Sequence, residues 1–197
     1  LDMIMTPIDI SDDLEFVMLS KDVIQLEIKG DLGVIKEDNI VFKAANLLKE
    51  THKVTSGVQI TLTKRIPIQA GLGGGSADAA ATLRGLNQLW ELNLTLEDLA
   101  KLSINLGSDV PFCVYNQTAR VRGRGEIIEF IDAVPSGYVI LVHPGFYCST
   151  KEVFNHAVVG VQNSGRIDAL QEAIQSSDIA MVAKKIYNDL EQAVYQI

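Results

Sequence analysis

Residues 64–82 read Lys-Arg-Ile-Pro-Ile-Gln-Ala-Gly-Leu-Gly-Gly-Gly-Ser-Ala-Asp-Ala-Ala-Ala-Thr, with four glycines in five positions directly before an alanine-rich run. Such a stretch is suited to holding an anion. Glycines let the backbone come close and adopt positive φ, and the first turn of the helix that follows presents unpaired N–H groups and roughly half a positive charge of dipole. A polyphosphate fits there. The loop is neither of the two common phosphate motifs: no Gly is followed by Lys as a Walker loop requires, and Ser76 or Asp78 stands where a dinucleotide fingerprint has its third glycine. The plain alternative is a tight turn before a buried helix, but four glycines would be a costly way to build one, since each loses extra entropy on folding.

If a phosphoryl group is to be transferred, the remaining needs are positioning, neutralisation of charge and a group that takes the acceptor hydroxyl's proton. Asp109, between Ser108 and a Val110-Pro111 turn, is the candidate base. A positioned base is worth about 10² to 10⁴ in rate. The competing reading is that Asp109 merely caps a turn. Ser76 is expected to give its hydroxyl and helix-start N–H to phosphate or to order a metal-bound water, with a simple N-cap as the alternative.

The elements that must position these groups follow from periodicity. Residues 13–19 and 23–28 alternate as strands and suggest a hairpin. Asp38 is expected to cap a helix carrying Ile40, Val41, Ala44, Leu47 and Leu48 on one face, and residues 57–62 read as a strand leading to the glycine loop. The helix after the loop runs to about Leu89. Thr95 caps another with Leu99, Leu102 and Leu106 as its stripe, before Gly107–Phe112 breaks the pattern. Short strands are expected over 118–122, 126–130 and 138–142, and a mostly helical stretch from Thr150, interrupted by a polar loop over 162–166. Without regular βαβ alternation or an internal repeat, this mixture favours an α+β fold.

Composition narrows the classes. The chain of 197 residues is 47% hydrophobic and 21% charged, ordinary for one large or two small globular domains. A net charge of −8 argues against nucleic acid as a partner. Cys113 and Cys148 have no metal-ligand spacing, and no signal peptide or membrane-length apolar run is visible, so a reduced, cytoplasmic protein is expected. His52, His143 and His156 lack zinc spacing, and no metal ligation by protein side chains is expected. Cys113 and Trp90 read as core.

The motif Pro67-x-x-x-Gly71-Leu72-Gly73-Gly74-Gly75-Ser76 resembles the ATP-binding motif of the galactokinase, homoserine kinase, mevalonate kinase and phosphomevalonate kinase superfamily. Further ordered blocks are Asp38–Ala45, Leu86–Trp90, Gly107–Phe112, Gly123-Arg124-Gly125-Glu126 and Asn188–Glu191; with the glycine loop they are similar to the family of 4-diphosphocytidyl-2-C-methyl-D-erythritol kinases. The resemblance implies a two-lobed α+β small-molecule kinase, with an ATP-binding lobe over 1–133 and part of a ferredoxin-like substrate lobe over 134–197. It implies ATP and Mg²⁺ as cofactors and transfer of the γ-phosphate to the 2-hydroxyl of a cytidine-diphosphate substrate, on the non-mevalonate route to isoprenoid precursors. Two other readings stay open: a related homoserine- or mevalonate-type kinase, and a catalytically silent nucleotide-binding module. Oligomeric state is not legible.

By the same resemblance Asn39 lies near the adenosine, Lys64 through Pro67 wall its pocket, and Ala70, Gly71, Leu72, Gly73, Gly74, Gly75 and Ser76 hold phosphate. Asn39 reads equally as a helix-start residue and Lys64 as a solvated strand-end charge. Thr150 and Phe154 are implied for the cytosine end of the substrate, with Phe154 reading equally as core; Met5 stands where the family commonly has an aromatic on the other face of the base. An N-terminal Lys-x-Asn strand and Tyr-His pair, and a C-terminal Gly-Ser-Gly segment, have no counterpart between Leu1 and Ile197, and Ala77 replaces a serine often found there. The chain therefore reads as truncated at both ends, and these residues alone are expected to bind nucleotide weakly and turn over poorly.

Overall fold

Strand β4 (Gly57–Thr63) carries Val58, Ile60 and Leu62 fully buried on one face and Gln59 and Thr61 on the other. That alternation gives it the most apolar inner face of its sheet and the central place. β2 (Asp13–Leu19) runs antiparallel to it with Phe16 opposite Ile60, and β3 (Ile24–Lys29) runs parallel on the other side with Leu26 opposite Ile60. The hairpin expected between β2 and β3 is thus not formed, because β4 inserts between them. A parallel β3–β4 pair needs a crossover, which α1 (Ile40–His52) supplies. The computed structural model describes residues 1–29, 38–132, 135–142, 145, 149–157 and 164–197, with Thr150, Lys151 and Ser164 described by backbone only.

Helix α1 turns Val41, Ala44, Ala45 and Leu48 inward. Its N-cap is Asn39 rather than Asp38: Asn39 is extended and its Oδ1 accepts from Val41 N at 2.8 Å, whereas Asp38 is exposed and pairs with Lys43 at 3.5 Å. Helix α2 (Gly74–Leu89) packs against α1 and β2 through Ala79, Ala80, Leu83 and Leu86. The absence of a side chain at Gly85 lets Phe16 close on the helix; a Cβ there would lie 2.5 Å from the Phe16 ring. Helix α3 (Leu96–Ser103) starts as expected at Thr95, in a capping box with Asp98. The segment expected only to break the pattern starts a short helix, α4 (Val110–Tyr115), since proline is tolerated in a first turn.

A second antiparallel sheet is ordered β1 (Asp2–Met5), β5 (Ala119–Arg122), β6 (Ile127–Phe130). Ala119 and Val121 pack on Phe112 of α4, with Met3 and Met5 alongside. Residues 138–142 are not a strand: they have no ladder partner among the described residues, and Tyr138, Val139, Ile140 and Val142 are exposed. Then follow α5 (Thr150–His156), α6 (Ser164–Gln175), α7 (Ile179–Lys185) and α8 (Glu191–Val194). Ser164, Gly165 and Arg166, expected in a loop, belong to α6, while 162 and 163 lie outside the described residues. Arg120 of β5 bonds Asp2 through two nitrogens and Asp168 of α6 at 2.6 Å, tying that helix to the second sheet.

The core of the β4 sheet makes a direct expectation. Leu83→Ala should cost about 2–5 kcal/mol in urea unfolding, while Val17→Ala on the exposed face of β2 should fall within about 0.5 kcal/mol.

Candidate functional site

Helix α2 begins inside the glycine run, two residues before the Ser76 start that the sequence suggests. Gly73 is its N-cap at φ +66°, a left-handed conformation that favours glycine, and no side chain caps the helix. Gly71 is also left-handed, at φ +70°, and nothing lies within 4 Å of where a Cβ would stand at either residue. The first amides of a 16-residue helix therefore have no side-chain cap, and the Cβ positions of Gly71 and Gly73 beside them are open. Gly74 serves differently: a Cβ there would come within 2.9 Å of the Ile66 side chain, so glycine lets the start of α2 pack closely against the residues that follow β4. Ser76 is the third residue of α2, half-buried, and is not its N-cap. Pro67, Ala70 and Leu72 are half-buried along the same loop.

Beneath the loop lies a feature that sequence reading missed. The Lys64 ammonium bonds Asp12 on one side and Asp78 on the other, the latter at 2.7 Å. The side chains are 13%, 2% and 5% exposed. The second oxygen of Asp12 accepts from the backbone N–H groups of Arg65 at 2.5 Å and Ile66 at 2.9 Å. Although burial works against its charge, the bonds from Lys64 and these amides hold the Asp12 carboxyl below the usual range. Burial pushes Asp78 up to about 7, with Lys64 opposing and Asp12 adding to the rise. One ammonium cannot fully balance two buried carboxylates, and Asp78 bears the deficit. Lys64 is therefore not a solvated strand-end charge. The missed signal was a lone aspartate within an alanine run, at a helix position whose neighbours are buried.

Asp109 stands at the start of α4 with no side-chain cap bond, so it does not act as a turn cap; partial burial raises its pKa. Helix α4 packs directly on α2. Cys113, one turn further on, links the two: burial, then the charge of Asp109 and more weakly that of Asp78, push its thiol up to about 11. It is an inert half-buried thiol. Arg84 of α2 donates to the carbonyl oxygens of Cys113 at 3.4 Å and Val114 at 3.1 Å, pinning α4 to the phosphate-loop helix. The candidate base and the anion cradle thus sit at the starts of two helices in contact.

The remaining expected residues are more dispersed. Asn39 is nearly buried and gives its Oδ1 to the α1 cap. Met5 packs beside Phe112 of α4, on the element that Asp109 begins. Phe154 is 45% exposed on α5, so its core reading fails, and Val153 is the buried residue there. The Thr150 side chain lies outside the described residues, and its backbone begins α5. His143 and Cys148 also lie outside them. Trp90 joins the core as expected. Among the described residues no group of three or more His, Cys, Asp or Glu side chains is placed to hold a metal ion. Among the described residues no helix is long and apolar enough to cross a membrane.

Residues 39–117 match the family model for the GHMP kinases N-terminal domain. A 4-diphosphocytidyl-2-C-methyl-D-erythritol kinase of Geobacillus sp. (strain WCH70) is 45% identical over 96% of this chain and 66% of its own length. One from Bacillus cereus (strain B4264) is 44% identical over 98% of this chain and 67% of its own. The chain thus spans about two thirds of the length of these relatives. A crystal structure of a 4-(cytidine 5'-diphospho)-2C-methyl-D-erythritol kinase superposes with a TM-score of 0.66 at 28% identity, covering 94% of this chain and 64% of that one. The mevalonate kinase of L. major, at 18% identity and a TM-score of 0.71 over 99% of this chain and 69% of its own, shares the fold.

The buried triad makes two expectations. Lys64→Met strands two carboxylates and should lower stability by about 3–5 kcal/mol in chemical denaturation. The second concerns pH. An unfolded Asp ionises near 3.8 and folded Asp78 near 7, so the folded state holds more protons between these values and Asp78 reduces stability progressively as pH rises through them. The melting temperature of Asp78→Asn relative to the native chain should therefore climb from pH 4 to pH 7; a gap that closes over that range contradicts the assignment.

Proposed function

Because the chain belongs to the 4-diphosphocytidyl-2-C-methyl-D-erythritol kinase family of the GHMP kinases, we propose that it serves ATP-dependent phosphorylation of the 2-hydroxyl of 4-diphosphocytidyl-2-C-methyl-D-erythritol, in non-mevalonate isoprenoid precursor synthesis. The observation that carries the reading is the uncapped start of α2 behind the open, left-handed Gly71 and Gly73, on a helix packed against the one that Asp109 begins. Amides of Gly74, Gly75 and Ser76 face the polyphosphate, and the Ser76 hydroxyl adds a donor. The backbone does the binding, so the site holds phosphate despite the chain's net negative charge. Asn39 and the 64–67 segment wall the adenosine side.

Asp109 takes the proton of the acceptor hydroxyl. Its raised pKa makes the carboxylate a stronger base than a solvated one, while the absence of a cap bond leaves its oxygens available. Lys64, held by two carboxylates, orders the loop from below rather than reaching for phosphate. The donor set suits magnesium that arrives on the nucleotide, since the described residues build no cage of their own and magnesium is commonly held by phosphate oxygens and water. When bound it supplies neutralisation of phosphate charge.

For the second substrate, Thr150 and Phe154 take the cytosine end, Phe154 being exposed enough to stack, and Met5 lines the region beside α4. We assign residues 1–133 to the nucleotide lobe and 134–197 to part of the substrate lobe. Separate buried residues, among them Val153, Ile167, Ile174 and Ala193, support a core for the second. Two cysteines without pairing spacing support a reduced, cytoplasmic setting.

Substrate discrimination tests the reading: ADP release with the cytidine-bearing alcohol, and none with homoserine or mevalonate, is the expected result. Asp109→Asn should lower kcat by about 10²–10⁴ while the KM for ATP stays within about twofold. Because the base must be ionised and its pKa is raised, turnover should fall as pH drops through that raised value. A variant that keeps full turnover removes Asp109 from the chemistry.

A further inference from the structure

The turn Gly123-Arg124-Gly125-Glu126 between β5 and β6 lies in the sheet that does not carry the phosphate loop, and nothing in the chemistry above uses it. Its residues differ sharply in environment: Gly123, Arg124 and Glu126 are exposed, whereas Gly125 is buried. What buries it is the loop before Asp109. A Cβ built on Gly125 would lie 1.8 Å from the carbonyl oxygen of Ser108, 2.7 Å from its carbonyl carbon and 3.1 Å from its Cα. That carbonyl belongs to the peptide bond joining Ser108 to Asp109. Gly125 also sits at φ +123°, a conformation that side chains rarely adopt.

Both sides of this contact are held. On the turn side, Gly125 N donates to Arg122 O at 3.2 Å, and the Glu126 carboxylate accepts from Arg124 N at 2.6 Å. Beneath, Ala119 and Val121 of β5 lock the sheet onto Phe112 of α4. On the loop side, Val110 N bonds back to Gly107 O at 3.3 Å and Cys113 N to Asp109 O at 3.2 Å. The Ser108–Asp109 peptide is therefore wedged between a helix that cannot slide and a turn that cannot retreat.

We propose that Gly125 is a positioning residue for the reaction: by backing the Ser108–Asp109 peptide it fixes where the Asp109 carboxylate stands relative to the phosphate loop. The inference rests on Asp109 being the base. A carbon atom needs about 3 Å from a carbonyl oxygen, so any side chain at 125 displaces this peptide by about 1 Å, and a misplacement of that size costs about 10² in rate.

The same turn contains its own control. Gly123 is left-handed too, at φ +71°, but the nearest atoms to a Cβ there are those of the Glu126 side-chain carboxylate, at 2.5–2.9 Å, rather than the Ser108 backbone. Gly123→Ala and Gly125→Ala both strain the turn, and only the second drives an added atom into the Ser108–Asp109 peptide. The expected result is a kcat lowered about 10²-fold in Gly125→Ala, with the KM for ATP within about twofold, against a kcat lowered no more than several-fold in Gly123→Ala at a comparable drop in melting temperature. Equal losses of kcat in the two variants overturn the proposal. Should Gly125→Ala fail to fold, Glu126→Ala decides: it loosens the turn without adding atoms, so a several-fold fall in kcat at constant KM supports the proposal and unchanged kcat overturns it. Asp109→Asn, run alongside, separates the two readings. If it stays active the base assignment itself is wrong, whereas an inactive Asp109→Asn with a fully active Gly125→Ala defeats this inference alone.

Discussion

The helix start proposed to receive a polyphosphate has to be left open above and held firmly below, and the buried ammonium of Lys64 does the holding. It joins three stretches far apart in the chain: Asp12 before β2, its own position after β4, and Asp78 in the second turn of α2. Asp12 adds bonds to two amides at the mouth of the loop. The loop is thereby fixed from below, while the space where side chains would stand at Gly71 and Gly73 stays open. An anion site made of amides needs this, because amides cannot move toward a ligand as a lysine side chain can, and their geometry must exist beforehand. The arrangement carries a cost in electrostatics, visible in the raised pKa of Asp78.

The second constraint is the docking of α4 on α2. Arg84 reaches from the phosphate-loop helix to two carbonyls of α4, and Cys113 fills the seam close to both Asp109 and Asp78. A proton acceptor and a phosphate site must be registered to within a fraction of an ångström, and the two proposed candidates, Asp109 and the glycine loop, are carried on helices in mutual contact. The second sheet completes the arrangement from the far side through Phe112 and the β5–β6 turn.

Much of this was legible from residue types. Glycine spacing located the loop that leads into α2, because glycine adopts the left-handed conformation of positions 71 and 73 without steric cost. Thr95 announced its helix through the capping box, a signal local to four residues. What failed was non-local. The central place of β4 depends on which strand offers the most apolar face, and proximity in sequence argued instead for a hairpin. Asp38 and Asn39 are both good caps, and only the backbone path distinguishes them. The partnership of Lys64 with Asp12 and Asp78 has no periodicity to betray it. An apolar run such as 138–142 signals a strand, yet a strand exists only where a ladder partner is present.

The strand order has a consequence for how the chain reaches this shape. β2 and β3 are synthesised before β4 but cannot pair with each other in the native way, and each waits for β4. Closing that sheet demands contacts between residues well separated along the polypeptide, a slow step compared with forming any one helix. Lys64 follows β4 immediately, so its bond with Asp12 draws together the same two ends as the β2–β4 ladder, where Asp13 faces Thr63. The glycine loop therefore takes its final shape together with the sheet's zipping and not before it, and an incompletely paired intermediate would lack the Lys64 bonds that fix it.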